Sequence, residues 1–259
     1  MAGDTLNVDM VPFTVLYYDI ETAPMISHLW NPKVSFVGQH MNISDTYVLT
    51  WAAKWGHQKS IKSASMRPSE LHEQDDSRIV LQLADMIRKA DIVVAHNGDR
   101  FDLKKLNGRV ALHGEEPLGP VKTIDTLKLS RKSFGYSYHN LDFLAKTFLG
   151  EKKIKTDFDL WVRATHGDEA AMREMSRYCR YDVVLLEQVL EAIKPYVVGL
   201  PRMVSGTGVL CVYCGSSDLQ KRGTRETNAF TYQQYQCNRC KRYSRHKKAE
   251  KLSLETRPI

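Results

Sequence analysis

The stretch Pro12-Phe-Thr-Val-Leu-Tyr-Tyr-Asp-Ile-Glu21 decides how the rest of the chain is read. Its β-branched and aromatic residues predict a buried strand. The strand closes on two acids, Asp19 and Glu21, placed two residues apart. On a strand such residues point to one face, so both carboxylates can reach one cation. Oxygen ligands of this kind suit Mg²⁺ or Mn²⁺. Taken alone, the same pair also describes a solvated strand end.

Downstream, residues 47–55 and 61–66 have strand character. Ile79, Leu81, Leu83 and Ile87 punctuate 76–89 as on a one-sided helix, and the apolar run 91–95 follows it as a strand. Residues 101–113 read as a helix ended by Gly114, and 121–124 as a strand. Helices are expected over 125–132, 140–148, 168–180 and 182–194, with Pro195 ending the last. This order predicts an α/β fold, a mixed sheet flanked by helices, over residues 1–199. Pro201, Ser205, Gly206 and Gly208 mark a linker over 200–208. A small second domain is expected over 209–249 and a frayed tail over 250–259.

The 259 residues carry a net charge of +7, unevenly spread. Residues 201–259 hold twelve Lys/Arg against four Asp/Glu, and the first 200 hold 25 against 26. A basic C-terminal region points to a polyanionic partner, nucleic acid before membrane; a solvated tail fits the charge equally well. No stretch reaches the roughly 20 apolar residues of a membrane span, and residues 1–7 lack a secretory pattern. The expectation is a soluble protein in the reducing cytoplasm.

Four of the five cysteines form two pairs, Cys211-Val-Tyr-Cys214 and Cys237-Asn-Arg-Cys240. Two such turns complete a tetrahedral Cys₄ site, so one structural Zn²⁺ held by Cys211, Cys214, Cys237 and Cys240 is expected, with a hairpin between the pairs. About 40 residues cannot build much core, so the metal would supply most of the folding energy. Arg239, Lys241, Arg242 and Tyr235 are candidates for a nucleic-acid surface on this zinc ribbon. Phe230 and Tyr232 are expected in its core, and docking onto a replication or repair protein is the competing use. Cys179 reads as a packing residue inside a helix.

Two further acidic segments complete the pattern. In Ala95-His-Asn-Gly-Asp-Arg-Phe-Asp102 a buried strand runs through a turn into a helix; Asp99 and Asp102 are both open as ligands, or as partners of the helix dipole. In Tyr178-Cys-Arg-Tyr-Asp182 the first and last residues share one helical face. Asp-x-Glu, then Asn-x-x-x-Phe-Asp, then Tyr-x-x-x-Asp resembles the three-motif signature of the DEDD exonucleases, which have the ribonuclease H-like fold. Arg177 stands where the histidine branch carries its His, so the chain resembles the tyrosine branch, which includes the proofreading domains of family B DNA polymerases. The similarity covers about residues 13–195. With the ribbon, the layout is similar to stand-alone phage and bacterial nucleases.

The resemblance implies two divalent ions, Mg²⁺ or Mn²⁺. Asp19, Glu21 and Asp182 would hold the first, and Asp19 and Asp102 the second. Tyr178 would orient the attacking water, and Asn97 and Phe101 would help place substrate. His96 reads as structural and Asp125 as a helix cap; Lys153 and Lys155 read as phosphate contacts or as solvated charge. The implied activity is 3′–5′ exonucleolytic hydrolysis of DNA by a two-metal mechanism. A ribonuclease, a structure-selective endonuclease, or an inactive nucleic-acid-binding or recruitment protein are the alternatives.

Overall fold

The computed structural model describes residues 11–205, 208–227, 229–248 and 250–251. They fall into two compact units, Thr14–Val198 and the described parts of 11–13 with 199–251.

The first unit is a mixed sheet flanked by helices. Its central strand, β1 (Val15–Thr22), buries Leu16, Tyr17, Tyr18 and Ile20. Burial of successive residues means both faces are covered, which explains the near-continuous apolar run. The antiparallel β2 (Val48–Trp55) lies on one side of β1, and β3 (Lys62–Ser65) pairs antiparallel with β2. After helices α1 (Pro68–Glu73) and α2 (Ser77–Arg88) the chain re-enters as β4 (Ile92–Ala95), parallel to β1. Parallel neighbours need a crossover, and α3 (Asp102–Leu112) supplies the next one before β5 (Lys122–Asp125), which pairs parallel with β4. The sheet order is β3-β2-β1-β4-β5. Central β1 therefore ends its acids inside the molecule.

Four helices follow: α4 (Thr126–Ser133), α5 (Leu141–Leu149), α6 (Phe158–Thr165) and α7 (Glu169–Ile193). Each starts on a side-chain cap, from Asp125, Asn140, Asp157 and Asp168 respectively. Gly150 ends α5 at φ 73°, the left-handed conformation glycine adopts without cost.

Two expectations need correction. The helices expected over 168–180 and 182–194 are one 25-residue helix, α7. The buried stripe Met175, Cys179, Val183, Leu186 and Leu190 runs the length of it, and the polar Asp182 on the same buried side interrupts the apolar pattern. Helices α1 and α6 were not expected at all, being only 6 and 8 residues long.

In the second unit, β6 (Leu219–Glu226) and β7 (Phe230–Cys237) form an antiparallel hairpin, with β8 (Tyr243–Arg245) on the far side of β7. Glu250–Lys251 pairs with Phe230–Thr231, so strand structure continues into the expected tail, whose residues 252–259 lie outside those described. Within the expected linker, Val204–Ser205 pairs antiparallel with Val11–Pro12, and residues 206–207 lie outside those described. Among the described residues no helix is long and apolar enough to cross a membrane.

Candidate active site

Asp19 and Glu21 come from the end of β1, and Asp182 comes from the middle of α7. One carboxylate oxygen from each lies within 4.8 Å of the others. Cys179, one turn before Asp182, directs its thiol at the Asp19 backbone carbonyl (3.4 Å), so α7 is packed closely against β1. The thiol is fully buried, as expected of a packing residue.

Asp102 opens α3, is buried, and accepts a hydrogen bond from the Ile20 amide, between the two β1 acids. It stands beside the three-carboxylate cluster, not within it. Asp99, the other possibility in that segment, is instead paired with Lys128 at 2.7 Å. The turn between β4 and α3 is fixed by a left-handed Asn97 (φ 70°), a conformation Asn tolerates better than other non-glycine residues. The Asn97 amide donates to Asp125 Oδ1 at 3.0 Å, and the same oxygen caps α4 through the Leu127 and Lys128 amides. Gly98 is required by space: a Cβ there would stand 2.5 Å from the Ala95 Cβ and 3.3 Å from the Tyr18 hydroxyl. Phe101 is partly exposed at the helix start.

Two site residues were missed. Lys153, in the irregular segment before α6, forms an ion pair with Asp182 and donates to the Tyr178 hydroxyl at 2.8 Å. It was expected only as an exposed contact or solvated charge. Trp161 of α6 hydrogen-bonds the Glu21 carboxylate and packs edge-on against Tyr178, ring centres 6.1 Å apart. The cap Asp157 was the available signal for its helix; nothing in the sequence separates Lys153 from Lys152 or Lys155.

The electrostatics follow from crowding like charges in a dry place. Burial, then Glu21 and Asp182, raises the Asp19 pKa well above the usual carboxylate range. Burial and Asp182 push Glu21 up to about 8, and burial pushes Asp102 up to about 7. Burial raises Asp182 too, opposed by Lys153. Burial alone would lower Lys153, but Asp182 and Tyr178 hold it above its ordinary value, so it stays an ammonium ion. Burial and Asp182 keep Tyr178 protonated. His96, against Thr126 at 2.9 Å, is pushed down to about 4 by burial and Lys153; it is a neutral structural residue.

Asp19 Oδ2 and Asp182 Oδ1 are buried without a hydrogen-bond partner. Buried carboxylate oxygens left unpaired are costly, and a hard divalent cation is the partner that this all-oxygen donor set fits.

In the second unit, Cys211, Cys214, Cys237 and Cys240 bring their sulfurs within 4.8 Å of one another. The two turns match: the Gly215 amide donates to the Cys211 carbonyl and the Lys241 amide to that of Cys237, both at 2.9 Å. Sulfur pairs 211/240 and 214/237 lie 3.5 and 3.6 Å apart. A tetrahedron with bonds of about 2.3 Å has edges of about 3.8 Å, so the donor set fits Zn²⁺. Arg239, Lys241 and Tyr243 are exposed and Tyr235 is half-buried. Arg242, expected on the same surface, is instead 7% exposed, its guanidinium 4.2 Å from the Tyr213 ring centre. Its stem and fork pack the small core, for which the unit has few apolar residues. Phe230, expected in that core, is 42% exposed, while Tyr232 is half-buried beneath the Arg245 guanidinium at 4.1 Å.

Residues 16–194 match the RNase_H superfamily. The chain belongs to that superfamily. Over 103 residues, 40% of the chain, it is 33% identical to a PolC-type DNA polymerase III of Ureaplasma parvum serovar 3, and it covers 6% of that relative's length. A family B DNA polymerase from the hyperthermophilic archaeon Pyrobaculum calidifontis is structurally similar, with a TM-score of 0.51 at 18% identity over 71% of this chain and 25% of that one. At that identity the likeness concerns the fold. The superfamily span contains Asp19, Glu21, Asp102, Tyr178 and Asp182, and ends before the cysteine cluster.

Proposed function

We propose that this member of the superfamily is a metal-dependent nuclease, a 3′–5′ exonuclease of the tyrosine-bearing DEDD branch that acts on DNA. The observation that carries the reading is the convergence of Asp19, Glu21 and Asp182 in a buried site with two unpaired carboxylate oxygens. The DNA polymerases among its relatives support DNA as the substrate class.

Asp19, Glu21 and Asp182 would hold one Mg²⁺ or Mn²⁺, and Asp19 with Asp102 a second. When bound, the cations supply an activated water at neutral pH and neutralise charge on the phosphodiester. Burial and Asp182 keep Tyr178 a phenol against the opposing pull of Lys153, so it acts as a hydrogen-bond donor and orients water or a phosphate oxygen; it is no base. Lys153 holds Tyr178 and Asp182 in position and returns one positive charge to an acidic site. Trp161 fixes the Glu21 carboxylate. Asn97 and Phe101, in the turn that leads into Asp102, would position the terminal nucleotide. The C-terminal unit, 209–249, is a ribbon held by one structural Zn²⁺ on its four cysteines, and Arg239, Lys241 and Tyr235 offer cations and an aromatic face to the strand.

The test uses 5′- and 3′-end-labelled single- and double-stranded DNA and RNA, with Mg²⁺, Mn²⁺ or chelator. Stepwise shortening from the 3′ end of DNA, lost with chelator and in Asp19→Asn and Asp182→Asn, is expected. Faster digestion of RNA would reassign the substrate. Full activity in folded Asp19→Asn would end the site assignment.

A further inference from the structure

Helix α7 carries Tyr178 and Asp182 toward the candidate site and a line of arginines on another face. Arg173, Arg177 and Arg180 recur at four and three residues, which places them along one side of the helix. At 1.5 Å per residue they are about 6 and 4.5 Å apart along the axis. With Ile61 and Ser65 of the edge-strand region they line an open cavity of about 560 Å³, floored by Met172, Tyr181 and neighbouring apolar groups, and no acidic side chain lines it. Toward the start of α7 the charge is cancelled, because Arg173 pairs with Glu169 at 3.3 Å. Arg177 and Arg180 form no ion pair among the described residues, and both are exposed.

We infer that this groove is a second nucleic-acid contact, which holds the phosphodiester backbone of the strand upstream of the bond being cut. Two unpaired guanidiniums spaced along a helix suit successive phosphates better than a single anion, and guanidinium forks bind phosphate bidentately. The apolar floor gives a sugar or base a surface beside them. Arg177 and Arg180 lie roughly opposite Asp182 around a helix about 10–12 Å across, so a strand that leaves the carboxylates passes round it, a path of roughly 16–19 Å or about five phosphates at the duplex spacing of about 3.4 Å. The inference rests on the nuclease reading, because it takes the strand to begin at Asp19, Glu21 and Asp182.

The test is fluorescence anisotropy of a labelled 12-nucleotide single strand in chelator, from 50 to 200 mM salt, for wild type, Arg177→Ala/Arg180→Ala and Arg177→Lys/Arg180→Lys. Circular dichroism establishes that each is folded. The alanine pair is expected to bind roughly tenfold more weakly and to lower the log–log salt slope by about 1.4, the value for two lost phosphate contacts on a single strand. The lysine pair keeps the charge and should keep the slope. An unchanged affinity and slope in the alanine pair would overturn the inference and leave the groove to an acidic peptide. A salt slope lowered equally in the lysine pair would also overturn it, because loss of charge would then not be responsible. Hydrolysis of the p-nitrophenyl ester of thymidine 5′-monophosphate by wild type with Mn²⁺ tests the carboxylate site alone. If that ester and the 12-mer both resist wild type while the anisotropy result stands, the nuclease reading has failed and the groove has not.

Discussion

Replacing Lys153 by Met keeps an unbranched apolar stem and removes the single ammonium group that faces Asp182 and Tyr178. The Asp182 side chain is 3% exposed and that of Lys153 is 23% exposed, so the pair is largely dry. Breaking a buried pair costs about 3–5 kcal/mol, because one charge is left uncompensated. Protonation limits that cost. At pH 7 a carboxyl with a reference pKa near 3.9 takes up a proton at an expense of about 4 kcal/mol; at pH 5 the expense is about 1.5 kcal/mol. The variant's folded state then holds a proton that its unfolded state lacks, so its stability falls as pH rises. Wild type in chelator shares that sign, since Glu21 is raised to about 8 and Asp102 to about 7; their contribution is present at pH 4 and lost by about pH 8. The substitution should steepen the fall. With about 2–4 °C per kcal/mol for a domain of 150–250 residues, the loss of Tm relative to wild type is about 8–16 °C at pH 7 and about 3–6 °C at pH 5. Thermal unfolding by circular dichroism in chelator, repeated with Mg²⁺, measures this. Equal losses at the two pH values would show that Lys153 contributes packing and not charge, and no loss at pH 7 would refute the account.

Three other outcomes follow from the same packing. Gly98→Ala should destabilise by about 1–3 kcal/mol and lower nuclease activity, because the new methyl collides with Ala95 behind the Asn97–Asp102 turn; denaturant melts alongside the cleavage assay check it. Arg109→Met should cost about 3–5 kcal/mol, because the fully buried Asp76 carboxylate takes Arg109 Nη2 at 2.8 Å and His113 Nε2 at 2.7 Å, and urea unfolding should show it at unchanged activity per folded molecule. Stripping metal with a thiol-competitive chelator, or Cys211→Ser with Cys240→Ser, should release about one zinc per chain by mass spectrometry and unfold the hairpin unit while 14–198 keeps its helical signal, since structural zinc supplies about 10–16 kcal/mol to such small units.

How far the sequence was legible depended on where each residue's information lies. The strand β1, the order of strands and helices, and the two cysteine turns are written in local pattern: a two-sided apolar run, one-sided periodicity with caps, and fixed thiol spacing. Helix α1 had a signal that went unused, Pro68 in its first turn with Glu70 reaching back to the Arg67 amide at 2.7 Å. Lys153 had none. It sits in Glu151-Lys-Lys-Ile-Lys155, three lysines within four positions of an irregular segment with no periodicity to give them an inner and an outer face; only the placement of the segment beside α7 selects one to be buried. Arg242 shows the reverse case. In composition it belongs with the exposed cations around it, yet the hairpin needs its stem and plane to cover Tyr213.

The places where local rules fail coincide with the candidate site. Asp19 interrupts an otherwise apolar central strand, Asp182 interrupts the buried stripe of α7, Asn97 adopts a left-handed backbone, and the Tyr18 hydroxyl is buried without a partner beside Gly98. None of these choices stabilises the fold by itself. Three carboxyls crowded beside one ammonium are held protonated in the metal-free chain, as the raised Asp19 and Glu21 show, and once they ionise only a cation can cancel their charge. A chain under selection for stability alone would replace Asp182 with an apolar residue, continue the stripe of α7 and gain the packing. Retaining the acid makes sense where a bound cation repays its burial, so the energetic defect of the isolated chain is itself an argument for metal at this site.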